Sequence, residues 1–376
     1  MSAYFDLRAL GGGGFTKPGV PGFPGPDPAQ VVLRELLRET FPQPVAGRAV
    51  DLNARGGFLA AGLAERGWDT TAYEASAAAF SALSGAAQDG GFRALAASAV
   101  IEPPEPPAPF DLVTLILPAE RGNAAVAAHL GWAARLARPG ATVLVAGERD
   151  RGFARYLGQA QGLIGPGEIV ERRRGLRVAR LRRRLDAPSA EEITPTAVSV
   201  SARGRELQIL ALPGVFSAGK LDRATELLLS ALPPGAGRRV LDLGCGAGPL
   251  AAFLAAEGAG VTALDDDLNA VHSTRATFRV NALPGAVLHS DVDANLPASE
   301  RFDLVVTNPP FHVGSRVVLD VAAEFVSAAR RRLTPGGELW LVANALLPYE
   351  ALCAALGPSR LVVKASGFKV LAVKLA

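Results

Sequence analysis

The chain has 376 residues, of which 49% are hydrophobic and 20% charged. This composition excludes a disordered chain and is sufficient for two ordinary domains. The formal net charge of +3 does not by itself indicate a nucleic-acid partner. Three arginine runs, at 172–174, 182–184 and 330–332, are either phosphate contacts or solvated ends of helices and strands.

The two cysteines and four scattered histidines form no recognisable disulfide framework or metal-ligand pattern. Residues 1–10 lack the basic and apolar regions of a secretory leader, and no apolar run approaches membrane-spanning length. We therefore expect a cytoplasmic protein without a structural metal.

Residues 1–28 are rich in glycine and proline and predict an irregular arm without helix or strand ladder. Short apolar strands then alternate with alanine- and leucine-rich helices, the βαβ rhythm of an α/β protein. The rhythm predicts one domain over 29–185 and a second over 213–376. Between them, 186–212 is expected to be a linker followed by a hairpin around Arg203 and Gly204.

The two predicted domains carry matching landmarks at a nearly constant offset. GRAVDLNARGG at 47–57 corresponds to GRRVLDLGCGAG at 237–248, and PFDLVTLILP at 109–118 corresponds to RFDLVVTNPP at 301–310. Such an internal repeat indicates a duplicated domain. We expect two tandem Rossmann-like domains, each a mostly parallel seven-stranded sheet with helices on both faces.

The pattern VLDLGCGAG predicts a strand followed by a tight glycine turn into a helix, in which backbone amides can approach a ligand closely. A dinucleotide-binding loop would have the spacing G-x-G-x-x-G. The pattern present resembles the first motif of Rossmann-like methyltransferases, where the loop holds the amino-acid part of S-adenosylmethionine (AdoMet). The resemblance assigns to AdoMet the residues Asp242, Gly244, Cys245, Gly246 and Gly248.

Acidic residues end the next two predicted strands. Asp265 follows Asp242 by roughly 20 residues, the spacing at which a βαβ unit brings a carboxylate to a ribose, and Asp266 can share the role. Asp291, with Val292 beside it, resembles the acidic residue that reads the adenine amine of AdoMet in these enzymes. Each aspartate is alternatively a turn or cap residue.

The fourth strand leads into Asn308-Pro309-Pro310-Phe311, which resembles the signature of methyltransferases acting on amines of adenine, cytosine, guanine or glutamine. A conjugated amine is a poor nucleophile until acceptors hold its hydrogens, and the Asn308 side chain and Pro309 carbonyl can supply them. The two prolines favour a rigid turn, and Phe311 can stack on a base. These four residues are the predicted catalytic set, without a strong general base.

The segment GVFSAGKLD at 214–222 precedes a predicted helix, with Asp222 a plausible N-cap. Together with NPPFHVG at 308–314 and GFKVL at 367–371, it resembles the bacterial 16S ribosomal RNA guanine-N2 methyltransferases and their large-subunit relatives. That resemblance covers nearly all of the second half of the chain. It places Phe216, Ser217 and Lys220 at the AdoMet site, and Phe311, His312, Phe368 and Lys369 at the target base.

The first half departs from this pattern at both motifs. It has Asn53-Ala54-Arg55-Gly56-Gly57 where the second half has its glycine loop, and Leu117-Pro118-Ala119-Glu120 where the second half has the asparagine motif. We expect this half to be catalytically silent and to serve in RNA docking and stabilisation.

The resemblance implies AdoMet-dependent methylation of a guanine N2 in ribosomal RNA of the small subunit, by a monomer acting on RNA or on the subunit. Alternatives are a 23S ribosomal RNA guanine-N2 methyltransferase, a glutamine-N5 protein methyltransferase, a DNA base methyltransferase and a non-catalytic ribosome assembly factor. The missing sequence-reading domain argues against DNA, and the duplicated first half argues against glutamine. An intact asparagine motif argues against loss of catalysis.

Overall fold

The computed structural model describes residues 3–101, 109–186, 193–216, 219–310 and 316–375, with the side chains of 316–319 left out. The chain divides into two compact units, Ala3–Thr194 and Pro195–Ala376. Within the described ranges, none of the helices is both long and apolar enough to cross a membrane.

The N-terminal residues pair with each other. Strands β1 (Arg8–Leu10) and β2 (Gly14–Thr16) form an antiparallel ladder. The expectation of an arm without a ladder is wrong here, because Gly12 and Gly13 adopt positive φ and make the tight turn that lets the short strands meet.

The first unit continues with a sheet whose strand order is β5-β4-β3-β6-β7-β9-β8, flanked by helices. Its strands are β3 (Gly47–Leu52), β4 (Trp68–Glu74), β5 (Arg93–Ala96), β6 (Phe110–Ile116), β7 (Ala137–Glu148), β8 (Gly167–Arg173) and β9 (Leu176–Arg182). Its helices are α1 (Pro28–Thr40), α2 (Phe58–Ala64), α3 (Ala77–Gly90), α4 (Asn123–Leu136) and α5 (Phe153–Leu163).

The second unit begins with an antiparallel hairpin that turns at Arg203 and Gly204, as the alternation of apolar and polar residues predicts. Its strands are β10 (Thr196–Ala202) and β11 (Arg205–Ala211). The hairpin is tied to the following domain: Leu210 N donates to Thr277 Oγ1 at 3.0 Å and Leu212 N to Ser273 Oγ at 2.9 Å.

The main sheet of the second unit repeats the topology of the first, in the order β14-β13-β12-β15-β16-β18-β17. Its strands are β12 (Arg239–Leu243), β13 (Gly260–Asp265), β14 (Ala286–His289), β15 (Phe302–Thr307), β16 (Leu333–Asn344), β17 (Ser359–Ala365) and β18 (Phe368–Lys374). Its helices are α6 (Arg223–Ala231), α7 (Pro249–Ala256), α8 (Leu268–Val280), α9 (Arg316–Arg332) and α10 (Tyr349–Cys353).

Both main sheets have seven strands within the described residues, and in each sheet one strand, β9 or β18, runs antiparallel to its two neighbours. The central strands β12 and β15 are buried on both faces along most of their length, which explains why their sequences are mostly apolar. The predicted fold, two tandem Rossmann-like domains that each have a mostly parallel seven-stranded sheet, is confirmed.

The strand order of the second unit reverses between β12 and β15. Strand β12 pairs in parallel with β13 on one side and with β15 on the other. In open α/β sheets, ligands bind outside the carboxyl ends of the strands at such a switch point. The loops after β12 and β15 are therefore the expected walls of a binding crevice.

Candidate active site

The glycine loop and Asn308 start side by side. Leu243, the last residue of β12, lies opposite Thr307, the last residue of β15, and the Thr307 hydroxyl donates to the Leu243 carbonyl at 2.7 Å. Gly244 and Asn308 follow directly. The structure thus brings the two strongest sequence motifs together at adjacent strand ends.

The glycine loop has the backbone geometry that its sequence predicts. Gly244, Gly246 and Gly248 adopt φ values of +74°, +59° and +80°, a region that side chains disfavour. A Cβ built on Gly248 would lie 2.7 Å from Cγ2 of Thr274, whereas one built on Gly246 would meet no atom of the described residues within 4 Å. The open side of the loop is therefore at Gly246.

Hydroxyl groups of α8 bond the carbonyl groups of the glycine loop, and the sequence analysis did not predict these bonds. Thr274 Oγ1 donates to the Gly246 carbonyl and Thr277 Oγ1 to the Ala247 carbonyl, each at 2.9 Å. The buried Cys245 thiol lies 3.3 Å from Thr274 Oγ1, and burial raises the pKa of this thiol. Cys245 is thus part of the loop's packing, and its protonated thiol is a poor nucleophile. The sequence signal for this contribution was the spacing of Thr274 and Thr277, which places two hydroxyl groups on one face of α8.

Asp265 lies under the loop. One carboxylate oxygen accepts from Gly246 N and the other from Asp267 N, each at 2.8 Å. A carboxylate held by two backbone N–H groups has the acceptor chemistry that ribose hydroxyls require. Asp266 is half-buried in the same turn, and its carbonyl accepts from His289 Nε2 at 2.8 Å.

Asp242 is fully buried at the end of β12. One of its oxygens accepts from Ala251 N at 3.1 Å, and the other has no hydrogen-bond partner among the described residues. Burial raises the pKa of Asp242 to about 7, and the negative charge of Asp265 adds to the effect. An unpartnered buried carboxylate oxygen is costly unless a ligand donates to it. The ammonium group of AdoMet has the required chemistry.

The turn after β14 is strained and firmly anchored. Val292 is buried with φ +50°, a conformation that β-branched residues rarely adopt. The next residue, Asp293, is buried and accepts from Arg331 Nη2 and Arg332 Nε, both at 2.6 Å. These ion pairs hold the turn that includes the buried Asp291.

The bonds of Arg331 and Arg332 match neither alternative given for residues 330–332, phosphate contacts or a solvated helix end. The Arg332 side chain is buried and also donates to the Pro297 carbonyl, and Arg331 Nη2 donates to Glu324 at 2.7 Å. Two of the three guanidinium groups are thus committed inside the domain.

Asn308 presents an oriented amide. Its Nδ2 donates to Thr225 Oγ1 at 2.8 Å and to Asp222 Oδ2 at 3.2 Å. Its Oδ1 is buried and has no hydrogen-bond partner among the described residues. Pro309 is buried and Pro310 exposed, so the turn leaves the sheet at this point. The sequence analysis did not identify Thr225. Its signal was a hydroxyl in the first turn of the helix that Asp222 caps.

The segment before α6 lies next to the turn after β13. Asn269 Nδ2, in the first turn of α8, donates to the Pro213 carbonyl at 3.3 Å. Phe216 follows and is 61% exposed, a large apolar side chain at an open position, and Lys220 is exposed too. Three predicted site residues lie outside the described residues: Ser217, Phe311 and His312.

Phe368 and Lys369 begin β18, which runs antiparallel to β16. Phe368 pairs with Asn344, the last residue of β16, and so lies at the same edge of the sheet as Asn308. Lys369 is buried, with Nζ 2.7 Å from both carboxylate oxygens of Glu350. This ion pair constrains the ammonium group.

The equivalent loop in the first unit keeps the backbone bond to an acidic residue but has different side chains. Arg55 N donates to Glu74 Oε2 at 2.8 Å, matching the bond from Gly246 to Asp265. Asn53 replaces Gly244, and its amide lies between the Ile116 carbonyl at 2.8 Å and His129 Nε2 at 3.1 Å.

The N-terminal ladder covers this loop. Phe15 N donates to the Gly56 carbonyl at 2.9 Å, and a Cβ built on Gly56 would lie 1.7 Å from the Phe15 carbonyl oxygen. Gly56 is equivalent to Ala247, so the N-terminal backbone lies against this part of the first loop and leaves no room for a side chain there.

Comparisons with known proteins agree with this geometry. The model of the methyltransferase small domain family matches residues 206–372. The ribosomal RNA small subunit methyltransferase C of Actinobacillus pleuropneumoniae serotype 5b (strain L20) is 44% identical over 180 residues, 46% of this chain and 54% of that protein. The protein of the same name from Chromohalobacter salexigens is 39% identical over 215 residues, 56% of this chain and 62% of that protein. The chain spans between half and two thirds of the length of these curated relatives.

A solved structure matches along the whole chain. It is described as the T. thermophilus 16S rRNA N2 G1207 methyltransferase (RsmC) in complex with AdoMet and guanosine. The match has a TM-score of 0.88 and 40% identity, and it covers 100% of this chain and 99% of that one. The chain therefore belongs to the family of ribosomal RNA small subunit methyltransferases C, as its sequence motifs predict.

Proposed function

We propose that this protein transfers the methyl group of AdoMet to the exocyclic N2 of a guanine in 16S ribosomal RNA. The observation that carries the proposal is the buried, unpartnered Asn308 Oδ1 at a strand end adjacent to the glycine loop. The relative of known structure, whose description names AdoMet, guanosine and N2 of a 16S guanine, supports the choice of donor and acceptor.

Asn308 is assigned to the acceptor amine. The lone pair of a guanine N2 is delocalised into the ring, and acceptors for its two hydrogens allow the nitrogen to become pyramidal. The Asn308 side-chain oxygen holds one hydrogen, and the Pro309 carbonyl holds the other. Holding the amine in line with the methyl group lowers the barrier chiefly by orientation. As the N–C bond forms, the S–C bond of AdoMet would break, S-adenosylhomocysteine would leave, and the methylated nitrogen would lose one proton to water. Phe311 supplies the stacking surface for the base, with Pro310 stiffening the turn and His312, Phe368 and Lys369 beside it.

The donor site is assigned to the loops after β12, β13 and β14. AdoMet, when bound, supplies an electrophilic sulfonium methyl group. Asp242 accepts from the ammonium group, the open backbone at Gly246 contacts the amino-acid part, and Asp265 accepts from the ribose. Asp291 accepts from the adenine amine, with Val292 forming the turn. Phe216, 61% exposed, together with Ser217 and Lys220, covers the bound nucleoside.

The first unit, assigned to residues 29–185, is proposed to be catalytically silent. Asn53 occupies the position of Gly244 and Arg55 that of Gly246, so side chains stand where the second loop has glycines. Leu117, which follows β6, offers no acceptor at the position of Asn308. Its proposed role is to stabilise the chain and to dock RNA.

The proposed substrate places the protein in the cytoplasm with the ribosomal RNA or the small subunit as its partner. Action as a monomer and transfer without a metal ion remain predictions from the sequence.

One experiment tests the assignment. The protein is incubated with methyl-labelled AdoMet and, separately, with small subunits, large subunits, free ribosomal RNA, DNA and a ribosomal protein fraction, and labelled nucleosides are identified after digestion. Label in N2-methylguanosine from 16S RNA is expected. Label in 23S RNA, in DNA or in glutamine would support an alternative enzyme, and failure to label any of these substrates would favour the assembly factor.

A further inference from the structure

The amide of Asn308 is held from one side by the first turn of α6. Its nitrogen lies 2.8 Å from the Thr225 hydroxyl and 3.2 Å from Asp222 Oδ2, across 83 and 86 positions of sequence. Thr225 is only 5% exposed. These contacts therefore join the helix before the glycine loop to the end of β15.

The chemistry of these two partners selects one orientation of the amide. An asparagine side chain can rotate by about 180°, exchanging a donor for an acceptor of nearly the same shape. In the rotated state, the amide oxygen would face the Asp222 carboxylate, which can only accept. Thr225 Oγ1 lies 3.4 Å from the same carboxylate oxygen, so its proton is directed there and its lone pairs face Asn308.

The Asp222 carboxylate is itself fixed by the fold. As the N-cap of α6, its Oδ2 accepts from Ala224 N and Thr225 N, both at 3.0 Å. A group held by helix capping costs no additional ordering when it orients Asn308. The result is that the Asn308 oxygen, which lacks any partner among the described residues, is left for a ligand.

We propose that Asp222 and Thr225 are positioning residues that lock the Asn308 amide with its oxygen directed to the acceptor amine. This inference rests on the proposed function, since only an amine donor requires an acceptor there. Neither residue needs to contact AdoMet or RNA. Their loss is expected to lower kcat and leave AdoMet affinity unchanged.

Thr225 gives the cleaner test, because valine has nearly the same shape and serine keeps the hydroxyl. For Thr225→Val we expect kcat to fall about tenfold, the effect of one uncharged hydrogen bond. The AdoMet Kd should stay within about twofold, and Tm should change by only a few degrees. Thr225→Ser should restore most of kcat. The matched control on the same helix is Ser230→Ala, an exposed hydroxyl that donates to the Leu227 carbonyl.

Asp222→Ser separates helix capping from positioning, because serine is a good N-cap but is too short to reach Asn308. It should lower kcat by at least about tenfold at nearly unchanged Tm. Wild-type kcat in Thr225→Val, or a loss of kcat that follows equal losses of Tm and AdoMet affinity in both variants, would overturn the proposal.

A direct readout separates this inference from the function on which it rests. The side-chain amide resonance of Asn308 is assigned in the full chain by its absence from Asn308→Ala. It should shift in Thr225→Val and remain in place in Thr225→Ser and Ser230→Ala. An unshifted resonance in Thr225→Val would refute the positioning role. A shifted resonance in a protein that methylates no RNA would retain that role and dismiss the proposed function.

Discussion

Leu243 and Thr307 are the last residues of adjacent parallel strands, and the threonine hydroxyl bonds the leucine carbonyl at 2.7 Å. This side-chain bond to the neighbouring strand fixes the register at the point where both strands end. The donor loop and the acceptor turn therefore leave the sheet at the same level. Their juxtaposition is a property of the buried sheet and needs no ligand.

Replacing Asn308 by alanine is expected to abolish most turnover while AdoMet binding persists. The lost oxygen belongs to the acceptor side of the site, so kcat should fall by about two orders of magnitude or more, as for loss of a polar group that acts in the transition state. Methyl transfer and calorimetric AdoMet binding are the measurements. Asn123→Ala, which removes a first-unit amide bonded to Tyr156, is the control. Parallel losses of binding and turnover in Asn308→Ala would contradict the division of roles.

AdoMet affinity is expected to depend on pH through Asp242. Burial raises the pKa of this carboxyl to about 7 in the folded chain, so below pH 7 it is largely protonated. An ammonium group binds better to the carboxylate than to the acid. Affinity should therefore increase by up to about tenfold per pH unit as pH rises towards 7, then level off. Calorimetric titrations with AdoMet from about pH 5.5 to about pH 8.5 measure the affinity on both sides of this pKa.

Asp242→Asn is the variant that isolates this carboxyl. It should bind AdoMet weakly and without the rise in affinity towards pH 7. A wild-type profile in the variant would assign the dependence to another group.

Asp51 offers a matched carboxyl in the first unit. It is buried at the equivalent position, with one oxygen bonded to Thr114, and burial raises its pKa to about 7. A raised folded pKa gives stability that is full below the unfolded pKa of about 4 and is lost as pH rises through 7. Relative to wild type, Asp51→Asn should gain about 2–3 kcal/mol of unfolding free energy between pH 5 and 7.

Urea denaturation at the two pH values measures this gain, and AdoMet affinity should be unchanged. If Asp51→Asn instead reduced AdoMet affinity as strongly as Asp242→Asn, the first unit could not be silent.

Asp293 is expected to be important for stability. It is buried between Arg331 and Arg332, and removing one partner of a buried ion pair leaves a charge uncompensated. Asp293→Ala should cost about 3–5 kcal/mol in urea denaturation. Glu168→Ala, which breaks an exposed pair with Arg180, should cost less than about 1 kcal/mol. Similar costs for the two variants would show that burial adds nothing to the stabilisation by the Asp293 ion pairs.

Asp293 also has a defined pH dependence. Burial raises the pKa of its carboxyl, but bonds from Arg331 and Arg332 outweigh burial and lower it below its ordinary value. The stability it contributes is present above the unfolded pKa of about 4 and is lost as pH falls through the folded value. The difference in stability between wild type and Asp293→Ala should therefore be constant above about pH 4 and shrink as pH falls further.

The fold and the motifs were predictable because they depend on local sequence. Apolar strands, glycines at positive φ and the repeated landmarks indicate two Rossmann-like domains. The bonds from Thr225 to Asn308 and from Arg332 to Asp293 were not predictable, because each joins side chains distant in sequence that only the packed helices bring together. The ladder at Arg8–Thr16 was missed because a high glycine content suggested an irregular chain.

The bond from Arg55 N to Glu74 in the first unit repeats the bond from Gly246 N to Asp265 in the second. An acidic residue at this position thus stabilises the loop in both units, although the first unit has Asn53 where the second has Gly244. The carboxylate at this position therefore has the same structural role in both loops. In duplicated chains of this kind, glycines with an open side, rather than the acidic residue, should distinguish a domain that still binds a nucleoside from one that has ceased to do so.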